Sequence, residues 1–261
     1  MLEQIVDAVS EAGHAALGVY RRHVASGVRV DAKADGSPLT EADLLVDRLL
    51  GIALARIAPD IPVVTEERAD SQALAAPERY FLVDPVDGTK EFVRGTDQWT
   101  VNVGLIERGE PTLGVIAAPA VGRLFGADES GAWEREASGA RRALAVRDVP
   151  AGGMDCVASK SHRTPDTDAF IEANDVNGLV SAGSSLKFCL LAAGEADIYP
   201  RFGPTMEWDT AAGDAILRRA GGTVRAVENA REVGPLRYGK PGWRNGHFIA
   251  SSPACAYRMA A

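Results

Sequence analysis

The apolar run Tyr80-Phe81-Leu82-Val83 passes without a break into Asp84-Pro85-Val86-Asp87-Gly88-Thr89-Lys90-Glu91-Phe92. An apolar run ahead of such punctuation reads as a strand buried in a sheet. The carboxylates that follow must then leave the strand end at the rim of that sheet, with Pro85 stiffening the link between them. Gly88-Thr89 comes next, where a helix can begin. Hard divalent cations need oxygen ligands, and a phosphate needs free backbone N–H groups and positive charge. This one segment offers both, so it ties a buried strand to a meeting place of metal and phosphate.

The chain has 261 residues, enough for one large domain or two smaller ones around a substantial core. Hydrophobic residues at 46% and charged residues at 25% are the proportions of a globular protein, not a disordered one. A formal net charge of −8 argues against a nucleic acid polymer as partner, because neutralising its backbone needs a basic surface. A small phosphorylated ligand remains compatible, since a few local cations outweigh the global charge. Cys156, Cys189 and Cys255 are scattered and read as buried, reduced thiols, which fits a cytoplasmic protein. The start, Met1-Leu2-Glu3-Gln4-Ile5-Val6-Asp7, lacks the basic region and continuous apolar core of a signal peptide. No apolar run has the length of a bilayer span, so no integral membrane association is expected.

Leu2, Ile5, Val6, Val9, Ala12, Ala16, Leu17 and Tyr20 recur at helical spacing, so the chain opens with an amphipathic helix. The polar segment Val28 to Pro38 reads as a loop, and a second helix runs from Thr40 to Ile57. Ile61 to Thr65 reads as a short strand delivering Glu66 and Glu67. Trp99, Val101, Val103 and Leu105 alternate with Thr100, Asn102 and Gly104, a strand with two distinct faces, and a meander follows through Glu134. The composition changes near Arg147 to Gly153, dividing an N-terminal α+β half, 1–150, from a C-terminal half, 151–261, of alternating strands and helices.

Several constellations carry candidate chemistry. Glu66 and Glu67 end one strand and Asp84 and Asp87 the next; acidic strand ends are otherwise simply solvated, but if they are neighbours they repel unless cations neutralise them. In Trp208-Asp209-Thr210-Ala211-Ala212-Gly213-Asp214, Asp209 stands where a helix N-cap belongs, and an N-cap carboxylate can also lend an oxygen to a metal. In Gly183-Ser184-Ser185-Leu186-Lys187-Phe188, serines at a helix start with Lys187 a turn later could hold a phosphate or ribose, or be a cap with a surface lysine. Ser159-Lys160-Ser161-His162-Arg163 is a basic, hydroxyl-rich loop, and Arg201 lies in the stiff Tyr199-Pro200-Arg201-Phe202-Gly203-Pro204, where solvation is the plain alternative.

Glu66-Glu67, the Asp84 to Thr89 segment and Trp208 to Gly213 together resemble the signature segments of the inositol monophosphatase superfamily of Mg²⁺-dependent, lithium-sensitive phosphatases. The resemblance spans nearly the whole chain in order and spacing. Lys90-Glu91-Phe92, where inositol phosphatases usually carry Thr-Asn-Phe, resembles the 3′(2′),5′-bisphosphate nucleotidases of the CysQ type, as do the Gly183 to Cys189 and Tyr199 to Thr205 segments.

The resemblance implies that Glu66, Asp84, Asp87 and the main-chain carbonyl of Val86 hold Mg²⁺, with Asp209 completing a second position. Two or three ions per site are expected, clamping the attacking and leaving oxygens. It implies that Asp43 and Thr89 orient and deprotonate the attacking water, with Glu67 supporting them from behind the ligands. Gly88, Thr89 and Lys90 would meet the scissile phosphate, and His162, Ser184, Lys187, Arg201 and Asp209 the nucleotide or its other phosphate. The Asp31 to Pro38 segment matches a mobile loop from which Lys33 reaches the substrate.

The fold implied is α+β, a five-layer α-β-α-β-α sugar-phosphatase arrangement, antiparallel in the first sheet and mixed in the second, with the site between the halves. The reaction implied is hydrolysis of the 3′-phosphate of adenosine 3′,5′-bisphosphate, and of its sulfated relative, by in-line attack of water without a phosphoenzyme. An inositol or sugar monophosphate phosphatase is the alternative within the superfamily. A non-catalytic nucleotide-sensing module is the alternative outside it, and the intact set of carboxylates argues against that. A cytoplasmic monomer or homodimer is expected, with peripheral attachment at the inner membrane left open.

Overall fold

Helix α1 (Leu2–Ser26) buries Ile5, Val6, Val9, Ala12, Ala16, Val19 and Tyr20 along one stripe, as apolar residues three and four apart must. The computed structural model describes residues 1–33, 36–73, 75–158 and 163–259. Helix α2 (Glu41–Ile57) starts after Thr40, whose hydroxyl accepts the Ala42 amide while the Asp43 carboxylate accepts the Thr40 amide. This reciprocal capping satisfies donors that an unfinished helix end would leave bare. The segment expected to be all loop between the two helices contains a small hairpin, Val30–Ala32 against Pro38–Thr40.

The first sheet has seven strands in sequence order: β1 (Val63–Thr65), β2 (Arg79–Asp87), β3 (Thr100–Glu107), β4 (Glu110–Ala118), β5 (Arg123–Asp128), β6 (Gly131–Arg135) and β7 (Arg141–Ala143). All neighbours are antiparallel except β1 and β2, which run parallel. That one parallel pair brings the ends carrying Glu66 and Asp84 to the same rim. In the second sheet β8 (Met154–Ala158), β9 (Val176–Ser181), β10 (Ile198–Arg201), β11 (Thr223–Glu228), β12 (Arg231–Pro235) and β13 (His247–Ser251) lie in the order β9-β8-β10-β13-β11-β12, with mixed directions.

Phe81 and Val83 face the α1–α2 layer, while Tyr80 and Leu82 face a second helix layer on the other side. The run is continuously apolar because both faces of β2 are covered, which overrides the alternation of a half-exposed strand. That second layer holds α5 (Leu186–Ala192) and α6 (Glu207–Arg219), and its other side rests on the second sheet. Helix α4 (Pro165–Ala173) covers the far face, with Phe170 packed among Cys156, Ile198 and Ile249. The layers therefore run helices, sheet, helices, sheet, helix, as expected.

The Ala211-Ala212 step of α6 fits its place because the sheet under it is bare. A Cβ at Gly104 would lie 2.8 Å from that of Ala211, and one at Gly114 2.3 Å from the carbonyl oxygen of Ala212. Asp209 is not the N-cap of this helix. Met206 holds that position, and Asp209, three residues on, accepts the Met206 amide through Oδ2 at 2.8 Å. Its carboxylate still caps the helix, but from inside the first turn.

Candidate active site

The rim where β2 ends is built around a bulge between Asp84 and Asp87, which turns both carboxylates toward the space between the sheets. Gly88, with φ of 90°, ends the strand and leads into the short helix α3 (Thr89–Val93). A Cβ at Gly88 would meet the Gln98 carbonyl at 3.0 Å, so both conformation and space favour glycine there.

Asp84 is buried, and its Oδ1 has no hydrogen-bond partner among the described residues. Burial, then the charges of Glu66, Asp87 and Asp209, push its pKa well above the usual carboxylate range. Burial and the Asp87 charge do the same to Asp209. Asp87 is clamped through Oδ2, which accepts the Ser184 hydroxyl at 2.7 Å and the Ser185 amide and hydroxyl at 2.6 and 2.8 Å. The pair expected to hold phosphate or ribose thus grips a carboxylate, with Ser184 in the left-handed region at φ of 55°. The Ser185 hydroxyl also reaches the Asp209 carbonyl at 2.6 Å, joining the two carboxylate-bearing segments.

On the opposite side Lys33 Nζ lies 2.5 Å from Glu66 Oε1 and 2.6 Å from Glu67 Oε1. Burial raises the Glu66 pKa against the pull of Lys33, and pushes that of Glu67 up to about 7. Among the described residues, no group of three or more His, Cys, Asp or Glu side chains closes at metal-ligand spacing. Each carboxylate is held by a protein partner of its own: Lys33 contacts Glu66, the serines hold Asp87, and the Met206 amide holds Asp209. Mutual repulsion opposes convergence until a cation is added. The donor set still fits a hard cation, since it is all oxygen and includes a buried oxygen left without a partner.

Asp43 is fully buried, and its Oδ2 accepts both the amide and the hydroxyl of Thr40, at 2.7 and 2.6 Å. Its Oδ1 faces the Thr89 hydroxyl at 3.3 Å, and that hydroxyl also lies 3.0 Å from the Val86 carbonyl. Burial raises the Asp43 pKa despite the Thr40 bonds, which favours a carboxylate ready to accept a proton.

The cleft, of about 650 Å³, runs from these carboxylates to a basic wall. There Lys187 is buried, with Nζ 2.6 Å from the Ser184 carbonyl and 5.1 Å from the centre of the Tyr199 ring. Burial lowers its pKa to about 8. Arg201 donates to the Pro204 carbonyl at 3.0 Å, while its buried Nε has no partner among the described residues. Lys90 lines the same cleft beside Gly88 and Thr89, and His162 lies outside the described residues. Asp84, Val86, Asp87, Glu66, Ser184 and Asp209 also line it, whereas Glu67 and Asp43 stand behind that surface. Three site residues escaped the sequence reading. Asn102 donates to Ser185 Oγ at 2.9 Å, and its signal was a lone amide on an apolar strand. Thr40 had the capping-box spacing to Asp43 as its signal. Arg244 lines the cleft and had no local signal at all.

The family model described as "Inositol monophosphatase family" matches residues 1–256. The 3′(2′),5′-bisphosphate nucleotidase CysQ of Shigella flexneri is 42% identical over 225 residues, covering 86% of this chain and 89% of that protein. The protein of that name from Escherichia coli K12 is 41% identical over the same coverage. The crystal structure of CysQ from Bacteroides thetaiotaomicron superposes with a TM-score of 0.76 at 35% identity, covering 97% of each chain. An IMPase from Thermotoga maritima shares the fold, with a TM-score of 0.74 at 24% identity over 95% of this chain and 91% of that one.

Proposed function

The chain belongs to the inositol monophosphatase family, and we propose that it is a Mg²⁺-dependent phosphatase removing the 3′-phosphate of adenosine 3′,5′-bisphosphate to leave AMP. The observation that carries this reading is the buried, partnerless Asp84 Oδ1 among mutually repelling carboxylates, facing a wall of lysine and arginine across one cleft. A cation site opposite an anion site is what a metal-assisted phosphatase of a doubly charged ligand requires. The relatives named CysQ support the nucleotide over an inositol phosphate.

Glu66, Asp84, Asp87, the Val86 carbonyl and Asp209 would hold the magnesium ions, two or three in number. When bound, magnesium would offset charge on the phosphoryl oxygens and lower the pKa of the attacking water. Thr89 uses its hydroxyl to orient the attacking water, and Asp43, behind it, takes up the proton at Oδ1. Ser184 and Ser185 fix Asp87, and Glu67 holds Lys33 at the edge of the site. Lys90, Lys187 and Arg201 supply the positive charge that holds the nucleotide, and His162, outside the described residues, is assigned a contact to it by the family resemblance. Adenosine 3′-phosphate 5′-phosphosulfate fits the same chemistry. Buried, unpaired Cys156, Cys189 and Cys255 support a cytoplasmic setting, and no helix among the described residues is long and apolar enough to cross a membrane.

The test is phosphate release from adenosine 3′,5′-bisphosphate and from inositol 1-phosphate, side by side, with Mg²⁺ and with chelator. Release from the bisphosphate at the higher kcat/KM, lost with chelator, is expected. Preference for inositol 1-phosphate would overturn the nucleotidase assignment.

A further inference from the structure

We propose that Gln72 is a positioning residue for Glu66, and that the Trp243 indole ties it to the half of the chain that carries Asp209; this rests on the metal-dependent reading above. The two carboxylates come from different halves and repel each other while no cation lies between them. Glu66 leaves the end of β1, and two peptide groups flank its Cα. The first is bonded on both sides: the Thr65 carbonyl accepts from Gln72 Nε2 at 3.0 Å, and the Glu66 amide donates to the Val83 carbonyl at 3.2 Å. The second presents the Glu66 carbonyl, which accepts from the same Gln72 nitrogen at 2.8 Å. A primary amide has two N–H donors, and both are committed here. One side chain therefore fixes both peptide planes, and with them the direction in which Glu66 leaves the backbone. The Glu66 carboxylate can exchange Lys33 for a cation while its root stays in place.

Gln72 ends a single helical turn, Ala69–Gln72, too short to hold itself by its own hydrogen bonds. Its support comes from the other half: the Trp243 indole N–H donates to the Gln72 carbonyl at 2.8 Å. Trp243 is buried, and its ring meets that of Tyr80 edge-on at 5.4 Å. Its φ of 58° is rare for a bulky residue and persists only where the surroundings fix it.

Those surroundings are a strap, Leu236 to Asn245, that closes onto α6. The Gly239 and Lys240 amides donate to the fully buried Glu207 at 2.8 and 2.9 Å, and the Lys240 ammonium lies 2.7 Å from the same carboxylate. Glu207 is the first residue of the helix that carries Asp209. Past the turn, the Asn245 side-chain amide donates to the Met206 carbonyl at 3.0 Å, on the residue whose amide holds Asp209. A continuous path thus runs from the Glu66 backbone through Gln72 and Trp243 to the start of α6. Neither Gln72 nor Trp243 lines the cleft, so both act on the site through the groups they hold. Carboxylates kept at one spacing before a cation arrives need less rearrangement when it binds. Partners of this kind, behind the ligands, commonly change metal affinity by roughly 10- to 100-fold.

The full chain is compared as wild type, Gln72→Met, Trp243→Phe and the double variant. Thermal denaturation across a Mg²⁺ titration gives the midpoint of the metal response, and phosphate release from adenosine 3′,5′-bisphosphate is read at limiting and at saturating Mg²⁺. Methionine keeps the side-chain length and removes both donors; phenylalanine keeps a ring against Tyr80 and removes the N–H. Gln72→Met is expected to raise the Mg²⁺ midpoint roughly 10- to 100-fold, and Trp243→Phe by a smaller factor. Turnover should fall more at limiting than at saturating Mg²⁺. The double variant should match Gln72→Met within about twofold, because Trp243 acts through Gln72. A wild-type midpoint in both single variants, whatever their metal-free Tm, would leave these residues a packing role and overturn the proposal. Factors that multiply in the double variant would overturn the link between them. If Gln72→Met does not fold, Trp243→Phe decides alone, and an unchanged midpoint there overturns the proposal. A wild type with no Mg²⁺ response in either measurement removes the metal-dependent reading itself. A wild type that responds, with variants that respond alike, defeats the positioning role alone.

Discussion

Lys33 reaches Glu66 with Nζ 2.5 Å from Oε1, and the same ammonium lies 2.6 Å from Glu67. An internal cation is thereby set against a carboxylate proposed to hold metal. Burial opposes the lysine charge, but the two glutamates override it and hold its pKa above the ordinary value. Lys33 and a metal ion would then compete for Glu66. Lys33→Met should leave the carboxylates less compensated without metal, so the metal-free Tm should fall by several degrees. Added Mg²⁺ should recover more stability than in wild type, with a lower midpoint. Thermal denaturation across a Mg²⁺ titration reads both quantities, and an unchanged midpoint would show that Lys33 does not compete.

The contact between Thr89 and Asp43 carries a kinetic prediction. Asp43 stands behind the cleft lining and accepts the Thr89 hydroxyl at 3.3 Å, so its proposed role would be exercised through that hydroxyl. Asp43→Asn keeps the shape and removes the proton acceptor. It should lower kcat roughly 10²- to 10⁴-fold while leaving KM within a few-fold. Steady-state kinetics on the bisphosphate decide this; a change mainly in KM would make Asp43 a binding group instead.

What was legible in the sequence was local. The Asp84 to Thr89 segment announced itself because a buried strand, a carboxylate pair and a Gly-Thr break are contiguous. The α1 and α2 stripes were readable because burial on one side imposes a spacing. Strands β11, β12 and β13 were not read, since each depends on pairing with partners distant in sequence. The Asp209 position was read one turn too early in role: a carboxylate three residues inside the helix caps it by accepting the Met206 amide. The serine pair shows the same limit, because only the tertiary contact reveals that Ser184 and Ser185 grip Asp87. Arg244 was invisible because its place at the cleft comes from a bridge to Met206 and from the strap's anchors on Glu207 and Gln72.

A glycine under α6 and a glycine within α1 predict opposite outcomes for two chemically identical changes. Gly114→Ala drives a methyl to 2.3 Å from the Ala212 carbonyl oxygen, so the helix must move or the strand must bend. The expected cost is about 1–3 kcal/mol or more. Gly18→Ala, within α1, meets nothing within 4 Å and should stabilise by about 0.5–1 kcal/mol through helix propensity. Urea denaturation of the two variants gives both signs. Because α6 carries Asp209, Gly114→Ala should also lower kcat under conditions where the protein is still folded.

Lys187 links pH to affinity. Burial lowers its pKa to about 8, and the nearby Asp87 charge opposes that shift without cancelling it. The ammonium is therefore present below about pH 8 and lost above it. An anionic ligand bound by this group should accordingly be held tightly on the acid side and released on the alkaline side. kcat/KM reports the free enzyme, so its pH profile on the bisphosphate should bend downward near pH 8. Lys187→Met keeps much of the side-chain volume and removes the titrating charge. It should lower kcat/KM at pH 7 and flatten the alkaline limb. A limb that persists unchanged in the methionine variant would assign that titration to another group, and leave Lys187 with a packing role against Tyr199.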